Sequence, residues 1–396
     1  VEHLLDGVDL VSDILRNAAQ VRVLSTSRAS LRVRGEHLFH LGGMDVPGWE
    51  APEAGAALEG WAEYSAVKLF LQGARQARPG FELAAADLEH VARICRLVDG
   101  MPLGILLAAG WLTMLTPAEI AAQISGEIEA SLDFLETDLR DVPERQRSMR
   151  AVFDYSWNLL SERERAVMQA LSVFRGGFGR EAAQQVAGAT LRELRALVDK
   201  SLLQPDQTGR YRIHELLRQY ATEQLEKVPA AKAAAQDHHC TYYAGFLQQR
   251  EADLIGRGQK QALAEIGAEI ENVRTGWDWA VARGKVEEIG RSLDSLAEFY
   301  RIRSRFEEGE AAFARAVRML TELQRQSACQ PEVGRGCKLV TGKALSRRAE
   351  FCDYLDRWEE AQRLLGEAVA LLRDVDARRV TAYALDYLGG ATLHFG

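Results

Sequence analysis

The first residue of this chain that could do chemistry is an arginine placed just after a predicted strand. Residues 21–24 are a short β-branched run, which ends in the polar stretch 25–27 and then Arg28. The guanidinium fork of an arginine donates in parallel to two phosphate oxygens, and ligands of open α/β sheets sit at the carboxyl ends of the strands. Arg28 is therefore a candidate for contact with a terminal phosphate, with an ordinary surface arginine as the alternative.

A second candidate is the motif Gly100-Met101-Pro102-Leu103-Gly104, which lies between two predicted helices. The proline ring is rigid and apolar, so its face can support a flat ring such as adenine. The same residues also suit a helix boundary, because proline is favoured at the first position of a helix and glycine just past the end of one. Both interpretations can hold at once, and they make Gly100, Pro102 and Leu103 candidate binding residues.

A third candidate is His214, which follows a predicted strand at residues 211–213 and precedes a predicted helix at 216–225. An imidazole N–H donates hydrogen bonds, and the ring titrates close to neutral pH. The simplest interpretation of a single histidine in this place is structural, as the cap of the helix that follows it. His214 is a candidate for phosphate contact only because the other two motifs occur in the same chain.

The elements that must position these motifs are mostly helical. Residues 8–19 carry apolar side chains at a helical period, the run at 21–24 predicts a strand, and residues 38–41 could add one more. A segment rich in glycine, proline and acidic residues at 42–60 predicts a linker. From Ala62 onward the pattern is almost entirely helical.

The middle of the chain predicts a winged-helix unit. Capping-box patterns begin at Ser161 and Thr190, where a glutamate follows each hydroxyl residue after three positions. The pattern predicts three compact helices, at about residues 150–170, 179–187 and 190–203. A turn at about 205–209 and a short strand at 211–213 follow. Three helices followed by a small hairpin are typical of a winged helix.

The last part of the chain contains an internal repeat with a shift of 52 residues. The two copies are Tyr300, Phe306, Gly309, Phe313 and Ala316, matched by Cys352, Trp358, Ala361, Leu365 and Ala368. Their small–large–small spacing resembles the tetratricopeptide repeat of paired helices, whose period is about 34 residues. The excess length predicts an irregular insertion at residues 324–343, and stacked helix pairs of this kind present a concave binding surface.

Composition excludes several classes of protein. The net charge is −8, and residues 151–230 hold 11 Lys and Arg against 10 Asp and Glu. A surface that binds duplex DNA needs a much larger excess of basic residues. The chain has no run of eighteen apolar residues, which predicts no membrane span. Five cysteines without a C-x-x-C pair favour a reduced, cytoplasmic protein.

Two motifs imitate binding sites. Residues 336–344 look like a phosphate-binding loop, but five residues separate the glycines instead of four, and Ala344 stands where serine or threonine must hold magnesium. His238, His239 and Cys240 are metal-binding residue types, yet adjacent helical residues point in different directions and cannot converge on one ion. We therefore expect neither a second phosphate site nor a metal site here.

The three candidate motifs occur in the order and at the separations of nucleotide-contacting motifs of the signal-transduction ATPases with numerous domains (STAND), the NB-ARC-like group. The chain resembles bacterial members of the AfsR-like and LuxR-like regulator type over most of its length. The resemblance implies a mainly α protein that starts in a parallel α/β nucleotide-binding domain. The implied domains are the end of that α/β domain (1–48), a helical domain (60–140), a winged helix (145–228) and tetratricopeptide-like superhelical repeats (236–396).

The resemblance also implies a role for each motif residue. Arg28 would sense the terminal phosphate, and His214 would donate to the β-phosphate of ADP. Pro102, flanked by Gly100 and Leu103, would contact the adenine. In such a switch, ADP locks the winged helix onto the nucleotide-binding domain. A protein or small-molecule ligand on the repeats weakens that packing, ATP replaces ADP, and the protein self-associates.

The chain is thus expected to be the regulatory and sensor portion of a nucleotide-dependent switch whose parent is a transcriptional regulator, with both chain ends cut. It holds neither the phosphate-binding loop nor the acidic residue that positions magnesium, so we expect no catalytic residue, no ATP hydrolysis and no tight binding of ADP or ATP. DNA contacts are expected through an effector domain outside this chain. Two alternatives stay open: a protein-interaction scaffold without a nucleotide, and a winged helix that reads DNA directly.

Overall fold

The computed structural model describes residues 7–18, 20–27, 31–39, 41–48, 58–125, 132–137, 147–326 and 331–393. The chain divides into two compact units. The N-terminal unit comprises Val1–Val173 and Gly179–Lys232, and the C-terminal unit comprises Phe174–Phe178 and Ala233–Gly396. Apart from Phe174–Phe178, the residues of the first three predicted domains fall in the N-terminal unit, and the predicted repeats fall in the C-terminal unit.

The first part of the N-terminal unit is helical. Its helices are α1 Val8–Asn17, α2 Leu58–Trp61, α3 Ser65–Ala77, α4 Ala85–Leu97, α5 Pro102–Gly110 and α6 Pro117–Ser125. Helices α3 and α5 approach closely, because a Cβ on Gly73 would lie only 3.0 Å from the Cβ of Ala109. Phe70, Val91 and Ile105 are fully buried in this core. The packing fixes the turn between α4 and α5, where the glycine–proline motif lies.

The strands expected at residues 21–24 and 38–41 are not formed in the described residues 20–27, 31–39 and 41–48. Side chains of these stretches stay in solvent, with Leu24 99% and Phe39 88% exposed. A strand needs hydrogen bonds to a neighbouring strand, and no described segment pairs with either run. The strand predictions were wrong for these residues because a β-branched pattern sets a local preference without supplying a partner.

A compact group of short helices and a hairpin follows. In chain order the elements are α7 Met149–Asn158, α8 Glu162–Leu171, β1 Gly177–Phe178 (in the C-terminal unit), α9 Arg180–Ala187, α10 Leu191–Asp199, β2 Gln204–Pro205, β3 Tyr211–Arg212 and α11 Glu215–Glu226. Helices α7, α9, α10 and α11 each pack against α8 or α11. Four helices precede the hairpin, one more than the winged-helix pattern predicted from the sequence.

The helix predicted over residues 150–170 is in fact two helices. The Oγ of Ser161 accepts the backbone N–H of Glu164 at 3.3 Å, and the Glu164 carboxylate accepts the N–H of Ser161 at 2.7 Å. This capping box satisfies the free donors of a helix start and so begins α8 as a separate helix. The same box between Thr190 and Glu193 begins α10. The prediction of a single helix was wrong. The capping box at Ser161 starts a new helix even though the apolar residues on both sides of it follow one helical period.

The hairpin positions His214 at the start of the helix that follows it. Strands β2 and β3 are antiparallel, and the turn between them is held by Asp206. Its Oδ1 accepts the backbone N–H groups of Thr208 and Arg210 at 2.8 and 2.9 Å. The chain then turns into α11, and His214 is the N-cap residue of that helix.

The C-terminal unit is a stack of helices. They are α12 Pro229–Leu254, α13 Gln259–Ala268, α14 Ile270–Arg283, α15 Val286–Ile302, α16 Phe306–Gln326, α17 Pro331–Tyr354, α18 Trp358–Asp374 and α19 Arg378–Leu393. From α14 onward each helix packs against the next, and α17 also packs against α15 and α19. This is the arrangement of stacked helix pairs that the 52-residue repeat predicts.

The small and large positions of the repeat hold two helices together. A Cβ on Gly309 would lie 2.7 Å from the ring of Phe351, so only glycine lets that ring approach α16. Phe313, one turn further along α16, stacks on the same ring with centroids 5.7 Å apart. The ridge predicted from the spacing therefore packs α16 against α17.

The insertion expected at residues 324–343 is helical where the structure describes it. Helix α16 continues to Gln326 and α17 begins at Pro331. The side chain of Gln324 donates to Thr341 Oγ1 at 2.7 Å, which joins the two helices by polar groups. The prediction of an irregular insertion was wrong, because polar residues that suggest a loop pair with each other between two long helices. Residues 336–344, which imitate a phosphate loop, lie on α17.

A buried polar group anchors the segment Phe174–Phe178 within the C-terminal unit. The side chain of Asn272 accepts the backbone N–H of Arg175 at 2.7 Å and donates to the Gly177 carbonyl at 2.9 Å. His239 is buried beside it, and its Nε2 has no hydrogen-bond partner in the described part of the chain. Burial lowers the pKa of His239 to about 4, although its hydrogen bond with Asn272 acts in the other direction.

The C-terminal unit is expected to lose stability as the pH falls, because the unfolded chain binds a proton that folded His239 does not. An unfolded histidine has a pKa of about 6.5, whereas the folded pKa is about 4. The contribution of His239 is therefore complete above the unfolded pKa and is lost as the pH falls toward the folded pKa. Urea unfolding should show a loss of about 2 kcal/mol in the free energy of unfolding at pH 5 relative to pH 7.5.

A matched pair of variants assigns that loss. His239→Gln should remove most of the pH dependence, whereas His238→Gln changes an exposed neighbour and should leave it intact. If the slope of stability against pH is the same in His239→Gln as in the unmodified chain, the proton is taken up elsewhere.

None of the described helices is long and apolar enough to cross a membrane. Cys95, Cys240, Cys337 and Cys352 are free and buried. Burial raises the pKa of Cys95 and of Cys240 to about 12. Thiols held protonated in this way are poor nucleophiles, so these cysteines serve the packing of the core.

Candidate functional site

The candidate site is built on the turn between α4 and α5. Asp99 and Gly100 both have positive φ, 48° and 66°. The N–H of Gly100 donates to the Cys95 carbonyl at 2.9 Å, and the N–H of Met101 donates to the Val98 carbonyl at 3.0 Å. A left-handed glycine in this position closes a helix by satisfying its last carbonyl groups. The turn is therefore a defined backbone structure and not a free loop.

A segment from the linker region covers this turn. The backbone N–H of Met44 donates to the Gly100 carbonyl at 2.8 Å. A Cβ on Gly100 would lie 2.2 Å from the Met44 carbonyl oxygen, and one on Gly43 would lie 2.1 Å from the Asp99 carbonyl oxygen. Arg96 donates to the Gly48 carbonyl at 2.9 Å and holds the far end of the segment. Two features therefore require glycine at position 100: its positive φ and the close contact with the Met44 backbone.

The proline of the motif begins α5 with one face open. Pro102 occupies the N-terminal position of the helix and is exposed, whereas Leu103 is half-buried. A Cβ on Gly104 would lie 3.0 Å from the Val98 side chain, so this second glycine lets the helix start pack on the turn. Both properties ascribed to the motif from the sequence, a helix boundary and an accessible proline ring, occur together.

His214 reaches the same turn from the winged-helix part of the chain. Its Nδ1 accepts the backbone N–H of Leu216 at 3.2 Å, which caps α11. Its Nε2 lies 3.1 Å from the Val98 carbonyl oxygen, a contact between residues 116 positions apart. The side chain is only 11% exposed. The structural interpretation of His214 is confirmed, since it caps α11, and the same side chain faces the glycine–proline turn.

The hydrogen bonds fix the protonation state of His214. Burial lowers the pKa of His214 below its ordinary value, and this outweighs the opposite effects of the Asp99 carboxylate and the Val98 carbonyl. The ring is therefore neutral at neutral pH. Because Nδ1 accepts from Leu216, the single proton is assigned to Nε2, which donates to Val98. His214 presents one polarised N–H donor to the turn.

An acidic side chain lies next to this donor. One carboxylate oxygen of Asp99 is 3.8 Å from His214 Nε2, and the Asp99 side chain is about half exposed. Its negative charge favours a protonated imidazole and disfavours a phosphate at the same point. None of Val98, Asp99 and Met44 is among the site residues predicted from the sequence. The Asp-Gly pair after a helix is a turn signal that points to Asp99, while nothing local distinguishes Met44.

The structure brings together four of the five predicted site residues. Gly100, Pro102 and Leu103 are consecutive or nearly so on the turn, and His214 contacts that turn through Val98. Arg28 lies outside the described residues. Its neighbours at 25–27 line a cleft of about 690 Å³, whose wall also includes Asp199 and Ser201. No described residue of the turn lines that cleft, so the structure does not join these two parts into one cavity.

Among the described residues, one group of possible metal ligands occurs, in the C-terminal unit. Ligand atoms of Glu310, Cys352 and Glu360 lie within 4.8 Å of one another. The guanidinium of Arg348, however, binds Glu310 at 2.8 Å and Glu360 at 2.7 Å. Because a cation already neutralises both carboxylates, we assign this cluster to the packing of the helices and to no metal.

Comparison with known proteins identifies sequence relatives among bacterial regulators. A scan against protein families found no match. The chain is 30% identical over 323 residues to proteins of Mycobacterium bovis and Mycobacterium tuberculosis described as "Putative HTH-type transcriptional regulator". The match covers 79% of this chain and 34% of those proteins, so the chain spans about a third of the length of these relatives. The description of these relatives agrees with the regulator type that the resemblance implies.

Two further similarities were found. Uncharacterised proteins of the same two mycobacteria are 32% identical over 244 residues, which is 59% of this chain and 57% of theirs. Among solved structures, the chain is similar to a STAND protein with a tetratricopeptide repeat sensor from Pyrococcus horikoshii. That similarity covers 83% of this chain and 63% of the other, at 12% identity and a TM-score of 0.21.

Proposed function

We propose that this chain is the regulatory portion of a nucleotide-dependent signalling switch that controls transcription. The observation that carries the proposal is the hydrogen bond from His214 to Val98. It connects the histidine of the winged-helix part to the turn that bears Pro102, although the two are far apart in sequence. These are the two motifs that the resemblance assigns to the β-phosphate and to the adenine of one nucleotide.

The residues at the turn fit ADP or ATP in part. Pro102 has an exposed ring that an adenine could cover, and His214 carries a neutral N–H donor suited to a phosphate oxygen. A bound nucleotide would supply the negative charge that this donor meets. The opposing feature is the Asp99 carboxylate beside the donor. The fit supports secondary nucleotide contacts from this chain, with the principal phosphate cradle and magnesium supplied by the longer parent protein.

The hydrogen bond of His214 offers a physical basis for two states. Its single Nε2 proton can serve the Val98 carbonyl or a phosphate oxygen, but not both at full strength. A hydrogen bond to a charged acceptor is stronger than one to a neutral carbonyl by roughly a factor of two. Nucleotide and turn would therefore compete for one donor, which makes the position of α11 depend on the nucleotide.

Regulator relatives support the transcriptional part of the proposal. The similar mycobacterial proteins carry the description of HTH-type transcriptional regulators, and this chain matches a third of their length. A DNA-binding effector would then lie in the parent outside the matched region. Sensing of a protein or a small molecule is assigned to the stacked helices of the C-terminal unit, and self-association to the activated parent.

Direct DNA reading by the winged helix is the less favoured alternative. Lys200, just after α10, is held by Glu164 at 2.8 Å, and Arg195 lies 3.9 Å from Asp199. Binding to duplex DNA requires several cations free to neutralise phosphates. Of the described basic side chains on α10, only Arg192 has no acidic partner. The charge pairing favours a switch module over a DNA reader.

A plain interaction scaffold remains the second candidate, and nucleotide binding separates it from the switch. Calorimetry with ADP should give no measurable heat with this chain and clear binding with an upstream-extended chain that carries a G-x-x-x-x-G-K-[ST] loop. In the extended chain His214→Ala should weaken ADP binding about tenfold, as expected for the loss of a hydrogen bond to a charged group.

The control for this experiment is His90→Ala, which removes a histidine from α4 without touching the turn. It should leave the affinity for ADP unchanged. If the extended chain binds no ADP, or binds it equally well with and without His214, the scaffold interpretation replaces the switch.

A further inference from the structure

The C-terminal unit contains a small charged cleft on its stacked helices. Its volume is about 280 Å³, near the lower end of typical small-molecule sites. Residues of four helices, α12, α15, α17 and α19, line it, together with Ile255, which directly follows α12. The lining residues are Glu251, Ile255, Asp294, Ser295, Glu298, Lys343, Ser346, Arg347, Arg379, Val380 and Tyr383. The cleft thus crosses four helices of one unit.

The floor of the cleft is a preorganised ionic network centred on Arg347. Its guanidinium lies 3.0 Å from Asp294 and 3.0 Å from Glu350, and it donates to the Tyr383 hydroxyl at 2.7 Å. Lys343 pairs with the same Asp294 at 2.9 Å. Although burial favours the neutral form of Asp294, the charges of Arg347 and Lys343 lower the pKa of that carboxyl. With Glu298, which lies 3.4 Å from Arg347, the floor holds two cations and three carboxylates.

Helices α12 and α19, which form two walls of the cleft, each contribute one charged lining side chain that is not part of this network. Glu251 on α12 and Arg379 on α19 are both exposed. In the described part of the chain neither side chain has a hydrogen bond or an ion pair. Lys343 has one of its three N–H donors on Asp294, which leaves donors for a ligand on the basic side. Among the described residues, the cleft therefore has an unpaired acidic side chain on the α12 wall and an unpaired basic side chain on the α19 wall.

Apolar groups also line the cleft. Ile255 is 73% exposed next to the acidic wall. Val380 follows Arg379 on the basic wall, and the ring of Tyr383 packs on the Arg347 guanidinium at 4.7 Å. An exposed isoleucine at the edge of a charged cleft can cover an apolar side chain of a ligand.

We infer that this cleft binds a small zwitterion with an apolar side chain, of the class of a free amino acid or a dipeptide. The ammonium group lies toward Glu251, and the carboxylate lies toward Arg379 and Lys343. This inference rests on the proposed function in that it treats the stacked helices as the sensor. It names the ligand class of that sensor and the residues that select it, through separated charges of opposite sign.

The probe for this inference is the dipeptide alanyl-leucine, titrated into the whole chain by calorimetry. Binding should be measurable, and both the N-acetylated and the C-amidated dipeptide should bind at least tenfold more weakly, because each has lost one of the two charges. Glu251→Gln should weaken binding of the free dipeptide about tenfold but leave the affinity for the N-acetylated form unchanged. Arg379→Gln should show the same pattern with the C-amidated form.

Matched controls are Arg378→Gln and Glu287→Gln, which alter exposed charges that do not line the cleft. Both should bind alanyl-leucine like the unmodified chain, and thermal unfolding should show that all four variants fold. Absence of binding at about 10 mM dipeptide, or equal affinity for the free and blocked dipeptides, overturns the inference. ADP binding by the upstream-extended chain and its dependence on His214 test the proposed function separately. Failure of the dipeptide alone therefore leaves the switch standing.

Discussion

Replacement of Arg347 by alanine is expected to destabilise the C-terminal unit by about 3–5 kcal/mol. The guanidinium is the shared cation of three carboxylates, Asp294, Glu298 and Glu350. The Glu350 side chain is 2% exposed, so water does not replace the missing partner. Without Arg347, the remaining cation near the buried Glu350 carboxylate is Arg301, at 3.8 Å. A buried charge that loses its main partner costs more than the intact pair contributes.

The loss should be concentrated in the middle of the helix stack. Arg347 lies on α17 and joins Asp294 on α15 to Tyr383 on α19, so its removal weakens the polar contacts among three helices. Tyr383 and Tyr387 both donate to Glu350 at 2.8 and 3.1 Å, and they hold that carboxylate without neutralising its charge. Chemical unfolding followed by circular dichroism measures the change in the free energy of unfolding.

Arg378→Ala is the control for this prediction. That arginine is 89% exposed and pairs with Asp376 at 3.1 Å on the surface. Surface ion pairs of this kind contribute less than about 1 kcal/mol, so its removal should change stability by about 0.5 kcal/mol or less. A change below about 1 kcal/mol for Arg347→Ala would mean that the three carboxylates find protons or water instead.

Gly100→Ala is expected to destabilise the N-terminal unit by about 3–4 kcal/mol. An alanine in the left-handed region costs roughly 1–2 kcal/mol, and the φ of Gly100 is 66°. The added Cβ would also lie 2.2 Å from the Met44 carbonyl oxygen and 2.8 Å from its nitrogen. Because the obstacle is backbone, the segment at 41–48 must move, and the hydrogen bond from Met44 to Gly100 is lost.

The same substitution should weaken the contact of the candidate histidine. Val98 lies two residues before Gly100, and its carbonyl accepts both from Met101 and from His214. A shift of the turn therefore moves the acceptor that His214 uses. Amide hydrogen exchange should show faster exchange at Met44 and at Leu216, whose N–H is held by the His214 ring.

Gly110→Ala supplies a control of opposite sign. Gly110 has a helical φ of −58°, and a Cβ there would meet no heavy atom within 4 Å. Replacing an exposed helical glycine by alanine gains roughly 0.5–1 kcal/mol. If both alanine variants change stability in the same direction, the strain argument for Gly100 does not hold.

Much of the local structure was predictable, because its signals lie within a few residues. The hydroxyl–glutamate spacing at Ser161 and Thr190 marks helix starts through bonds that close over three positions. Pro102 marks the start of α5 because its ring is pre-set for the first turn. Local patterns gave a wrong prediction where structure depends on a neighbouring strand. The run at 21–24 has a β-branched pattern, but its described residues form no strand.

The sequence by itself determined the mainly helical character, the repeat of helix pairs and the identity of the motif residues. The tertiary structure alone decided which of these residues meet. His214 and Val98 are 116 positions apart, and no spacing rule connects them. The cleft between Glu251 and Arg379 likewise depends on how four helices stack. Local hydrogen bonds are encoded by neighbours in the chain, whereas such contacts arise only when burial of the whole core selects one packing.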